Sequence, residues 1–158
     1  DKDAVAAVTL LCEAAAYHAS RGETLWDAML AMYEKYGFYE EDLASLTLQG
    51  ADGAHRIAQM MDDLRAHPPA QLAGMRVLAL RGYAAGVRRD LASGQESATD
   101  LPASNVLYFE LEEEAWCCVR PSGTEPKIKF YFGAKGKTMQ SAKENVRRLR
   151  QALLGLVK

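Results

Sequence analysis

The chain has 158 residues, 49% of them hydrophobic and 25% charged, with a formal net charge of −2. That suits one packed domain plus an appendage and excludes a nucleic-acid or membrane partner held by bulk electrostatics. Three cysteines, two of them adjacent, give no disulfide framework; with no signal peptide, long apolar run or low-complexity tract, the expectation is a soluble protein of the cytoplasm.

Val5, Val8, Leu11, Cys12 and Ala15 fall on one face of a helix over 4–20 that Arg21 and Gly22 close. His18 and Cys12 have no partner at metal-ligand spacing and read as packing or surface residues. Thr24 and Asp27 supply a cap and first-turn carboxylate for a second helix, with Leu25, Met29, Met32, Tyr33 and Tyr36 along one side up to Gly37. Neither helix has a sheet to cover, so the pair is expected to dock elsewhere. The segment from Phe38 to Leu43 reads as a connection.

A strand is expected where Ala44, Leu46 and Leu48 alternate with polar residues. Asp52 caps a helix to about Ala66, stopped by Pro68 and Pro69, with Ala54, Ile57, Met61 and Leu64 inward. His55 and His67 show no role. Met75 to Tyr83 forms a strand, and 84–99, with two glycines and mixed charge, reads as a long loop. Val106 to Leu111 and Ala115 to Val119 pair as a hairpin across Glu112, Glu113 and Glu114, whose carboxylates repel, resist positive φ and read as a solvated rim rather than a metal site. Cys117 and Cys118 point to opposite faces. A last helix over 138–154 carries an apolar stripe of Ala142, Val146, Leu149 and Leu153, with a basic side read as solvated. The order from 43 on implies an α+β domain: an antiparallel sheet covered by helices on one face.

Chemistry concentrates in one loop. Arg120 to Pro126 reads RPSGTEP and runs into Lys127 to Phe132, KIKFYF. Arg120 offers a fixed fork of donors, Ser122 and Thr124 hydroxyls, and Gly123 a backbone without a Cβ, while Pro121 and Pro126 limit the entropy lost on binding. Ile128, Phe130 and Phe132 share one face of the exit strand; Lys127, Lys129 and Tyr131 take the other, so Arg120 and Lys129 can converge on one oxyanion. The ligand this suits is a phosphate.

RPSGTEPKIK closely resembles the phosphate-binding loop of the C-terminal domain of the α-D-phosphohexomutases, the phosphoglucomutase/phosphomannomutase superfamily. The resemblance extends through LPASNVLYF (101–109) and FYF (130–132), and DKDA (1–4) resembles the stretch after that family's sugar-recognition loop. It implies a chain that is the C-terminal portion of a larger enzyme. Residues 1–42 would be the last helices of the preceding third domain plus a linker, and 43–158 the phosphate-binding domain, whose shape is likened to the TATA-box-binding-protein fold without implying DNA binding.

The resemblance further implies an isomerase that interconverts hexose 1-phosphate and hexose 6-phosphate through a hexose 1,6-bisphosphate, using a phosphoserine and Mg²⁺ carried by upstream domains. This portion would be inactive alone. Arg120, Ser122, Gly123, Thr124 and Lys129, with Lys2, would hold the substrate phosphate that is not transferred, and Glu125 would brace the loop. Its partners would be the phosphosugar and the upstream domains. A non-catalytic phosphosugar-binding module and a structural module stay open.

Overall fold

A computed structural model describes residues 2–50 and 52–157. Residue 1, the start of the DKDA stretch, lies outside them. The chain divides into two compact units, 1–38 and 39–158.

The first unit holds α1 (Ala4–Ala19) and α2 (Leu25–Tyr36). Asp3 caps α1 by accepting from Ala6 N at 2.9 Å. Thr24 and Asp27 form a reciprocal capping box on α2: Thr24 Oγ1 accepts from Asp27 N, and Asp27 Oδ2 accepts from Thr24 N. Gly37, at φ 108°, ends α2, where few side-chain-bearing residues could follow. Both helices are therefore set by local signals, and the apolar residues Val5, Val8 and Leu11 of α1 are exposed.

The second unit contains β1 (Phe38–Thr47), α3 (Gly53–Ala66), β2 (Gln71–Leu72), β3 (Met75–Gly82), β4 (Val87–Asp90), β5 (Glu96–Ala98), β6 (Leu107–Leu111), β7 (Trp116–Pro121), β8 (Lys127–Gly136) and α4 (Met139–Leu156). The strands form one antiparallel sheet in the order β1-β8-β7-β6-β3-β4-β5, with β2 paired to β3. Alternation assigns the faces. Leu107, Phe109 and Leu111 of β6, Cys117 and Val119 of β7, and Ile128, Phe130 and Phe132 of β8 are buried in one core with Ile57, Met61 and Leu64 of α3 and Val146, Leu149 and Leu153 of α4. Each fully buried side chain of this size contributes about 1.5–3 kcal/mol, so the two helices are held by their apolar stripes. The opposite face of the sheet carries Tyr108, Glu110, Trp116, Cys118, Arg120, Lys127, Lys129 and Tyr131.

Four sequence expectations need correction. Phe38 to Leu43 is the first half of β1, not a connection; most of that half is charged or exposed, which hides its period of two. Residues 84–99 contain the hairpin β4–β5, whose turn is built by Asp90 Oδ1 accepting from Ala92 N and Ser93 N; the strands hold no buried residue, so no apolar pattern announced them. Asp52 makes no side-chain cap on α3.

The fourth concerns the three glutamates, which form one 3₁₀ turn with Glu113 and Glu114 both at φ 58°. Two of the three are bonded rather than merely solvated. Glu112 accepts from Arg76 N and Nε, and Glu114 accepts from Lys135 Nζ at 2.6 Å and Tyr39 Oη at 2.8 Å. These partners relieve the repulsion that argued against positive φ. The basic side of α4 is likewise engaged: Arg150 pairs with Asp42, Arg147 with Glu144, and Arg148 donates to Ala73 O. No helix among the described residues is long and apolar enough to cross a membrane.

Candidate functional site

The loop between β7 and β8 is placed by strands whose inward residues are fully buried, so its ends are fixed while its tip is free. Arg120 and Lys129 are direct cross-strand partners in an antiparallel pair and therefore share a face, the one turned away from the helices. Facing cations on neighbouring strands repel, at a cost of roughly 0.2–1 kcal/mol. Among the described residues neither forms an ion pair to offset it.

Within the loop, Ser122 N donates to Lys127 O at 2.7 Å and Lys127 N to Glu125 O at 2.7 Å. Ser122 Oγ accepts from Thr124 N at 3.4 Å and Glu125 N at 3.3 Å, an internal turn that preforms the bend. From the neighbouring strand, Leu48 N donates to Pro126 O at 2.9 Å and ties the exit to the end of β1. Glu125 thus braces the loop through its main chain, and its carboxylate makes no bond among the described residues. Gly123 is exposed, and a Cβ built there would meet nothing within 4 Å. Its φ is not positive, so what glycine supplies is open space rather than a special conformation.

Arg120, Ser122, Gly123, Thr124 and Lys129 therefore lie together on one bend and its flanking strands. Lys2 is in the other unit, exposed and just ahead of the α1 cap. Behind Arg120, burial pushes the Cys118 thiol up while the Arg120 guanidinium pulls the other way. Cys117, facing the core, is pushed up to about 12 by burial. Neither is poised as a thiolate nucleophile. Among the described residues no three His, Cys, Asp or Glu side chains cluster to hold a metal.

A second charged group on the open face escaped the sequence reading. Glu110 accepts from Arg81 Nε and, bidentately, from Arg88 Nε at 2.8 Å and Nη2 at 2.7 Å. Bonding to Arg88 holds its carboxyl below the usual glutamate range, with burial opposing. Arg81 also lies 5.2 Å from the centre of the Tyr108 ring, which stacks on Trp116 at 5.5 Å. Trp116 in turn lies flat across Gly133, where a Cβ would come within 2.3 Å of the indole. Only strand register brings these residues together, since they come from five strands.

Residues 68–150, which take in the loop and every strand from β2 to β8, match the family described as Phosphoglucomutase/phosphomannomutase, C-terminal domain. Phosphoglucomutase of Staphylococcus aureus (strain MRSA252) is 38% identical over 135 residues, covering 85% of this chain and 24% of that protein. Phosphoglucomutase of Staphylococcus haemolyticus (strain JCSC1435) is 32% identical over 146 residues, 92% of this chain and 26% of that protein. The phosphoglucomutase of S. aureus strain MSSA476 is 34% identical over the same length. The chain thus spans about a quarter of the length of the curated relatives it matches. With strands β2 to β8 and the RPSGTEP bend inside the matched span, the chain belongs to the phosphoglucomutase/phosphomannomutase family and carries that family's C-terminal domain.

Proposed function

We propose that this chain is the part of a phosphohexomutase that grips the substrate phosphate not being transferred, in an enzyme interconverting hexose 1-phosphate and hexose 6-phosphate through a hexose 1,6-bisphosphate. The observation that carries the reading is the facing pair Arg120 and Lys129, two cations with no ion-pair partner among the described residues, at the foot of a preformed hydroxyl-bearing bend. A phosphate dianion would accept from the Arg120 fork and from Lys129, with the Ser122 and Thr124 hydroxyls at its edge and Gly123 leaving room for the ester.

In this reading binding energy spent on the distant phosphate orients the reacting one. The phosphoryl group passes from an enzyme serine to the free sugar hydroxyl, giving the bisphosphate, and the other phosphoryl group returns to the serine after the sugar turns round. One grip must therefore accept either end of the sugar. The serine, the sugar-reading residues and the carboxylates for Mg²⁺ are assigned to other parts of the polypeptide. Helices α1 and α2 are taken as the end of the preceding domain, and Lys2 as a further phosphate contact from it.

Calorimetric titration of the full-length polypeptide with glucose 1-phosphate tests the grip. Arg120→Ala is expected to weaken binding about ten- to a hundredfold, the range of one lost charge-assisted hydrogen bond. Unaltered binding would reject the role.

A further inference from the structure

The family's loop as read from the sequence uses one lysine beyond Arg120, yet the strand geometry offers two. Lys127 opens β8, and since inward Ile128 separates it from Lys129, both lysines project from the same open face about 6.8 Å apart along the strand. Lys127 is anchored in place: its carbonyl accepts from Ser122 N and its N–H donates to Glu125 O, both at 2.7 Å. Its backbone is thus part of the bend, while its half-buried side chain forms no ion pair or hydrogen bond among the described residues. Thr47, exposed and adjacent to the Leu48 that bonds Pro126 O, brings an uncharged hydroxyl to the same corner rather than a carboxylate.

Three cations thus stand at one corner of a chain whose net charge is −2, against one carboxylate on the same bend, that of the exposed Glu125, which bonds to none of them. Two would suffice to orient a monoanion. A third adds attraction in proportion to the ligand's charge, so it favours a doubly charged ester over a singly charged one of the same shape. We infer that Lys127 is a specificity-determining residue of this site, selecting dianionic phosphate esters over monoanionic esters such as sulfates. The inference rests on the proposed phosphate grip and adds to it a residue and a rule of selection.

The test compares glucose 6-phosphate with glucose 6-sulfate by calorimetry on the full-length polypeptide, in wild type, Lys127→Gln, Lys127→Arg and Arg120→Ala. A solvent-screened charge such as that of Lys127 contributes up to about fivefold to a dianion and, at half the charge, about twofold to a monoanion. Lys127→Gln should therefore weaken the phosphate about fivefold and the sulfate about twofold, with Lys127→Arg close to wild type. Equal losses for both esters, or no loss while Arg120→Ala weakens phosphate binding, would overturn the selection and leave the grip standing. If Arg120→Ala also leaves binding untouched, both readings fall.

Discussion

Two cationic groups occupy the same face of the same sheet and differ in one respect. Arg81 and Arg88 close on Glu110, and Arg81 also lies over Tyr108, which stacks on Trp116. Arg120 and Lys129 face each other with no carboxylate between them. The first arrangement carries an internal counter-charge that both cations share. The second leaves repulsion that an anion would relieve, and the proposed phosphate grip rests on that. Side-chain type does not separate them; the presence or absence of an internal counter-charge does.

The largest effect should come from breaking the unpaired end. Arg120→Ala in the full-length enzyme is expected to lower kcat/KM for hexose phosphate by about ten- to a hundredfold or more while the thermal midpoint stays within a degree or two, because the side chain contributes nothing to the core. Loss of stability in parallel with activity would make Arg120 a structural residue and erase the contrast.

The paired end should respond in the opposite sense. Gly133→Ala drives a methyl group into the Trp116 indole, so the aromatic stack must shift; the expected cost is about 1–3 kcal/mol by urea unfolding, with phosphate binding preserved. Intact stability would mean that the Trp116 stack yields freely and anchors nothing.

The two ends were unequally legible in the sequence. The bend is contiguous, and its flanks, Val119 and Ile128, Phe130 and Phe132, alternate as strands must, so Arg120 and Lys129 could be assigned to one face before any coordinates. Helices α1, α2 and α4 were legible for the same reason: their caps and stripes are local. The Glu110 cluster joins residues 81, 88, 108, 110 and 116, and only the register of four strands makes them neighbours. β4 and β5 were hidden because a strand with no buried side chain leaves no periodic trace, and the partners that hold Glu114 in the turn, Lys135 and Tyr39, are distant in the chain.

The smallest and most discriminating effect concerns the Glu110 carboxyl itself. Its side chain is 20% exposed while those of Arg81 and Arg88 are 40% and 35% exposed, so solvent screens the pairs and Glu110→Gln should cost only about 1 kcal/mol at neutral pH. Because the carboxyl is held below the ordinary glutamate range in the folded state, the stabilisation is complete above that range and is lost as pH falls through the lowered folded value. Wild type and Glu110→Gln should therefore differ in urea unfolding at neutral pH and converge in acid, where the wild-type carboxyl is itself protonated. A gap that holds constant or widens in acid would show that the amide perturbs packing rather than charge. Arg120→Ala should show no such convergence, since among the described residues Arg120 forms no ion pair with a carboxylate whose protonation could release it.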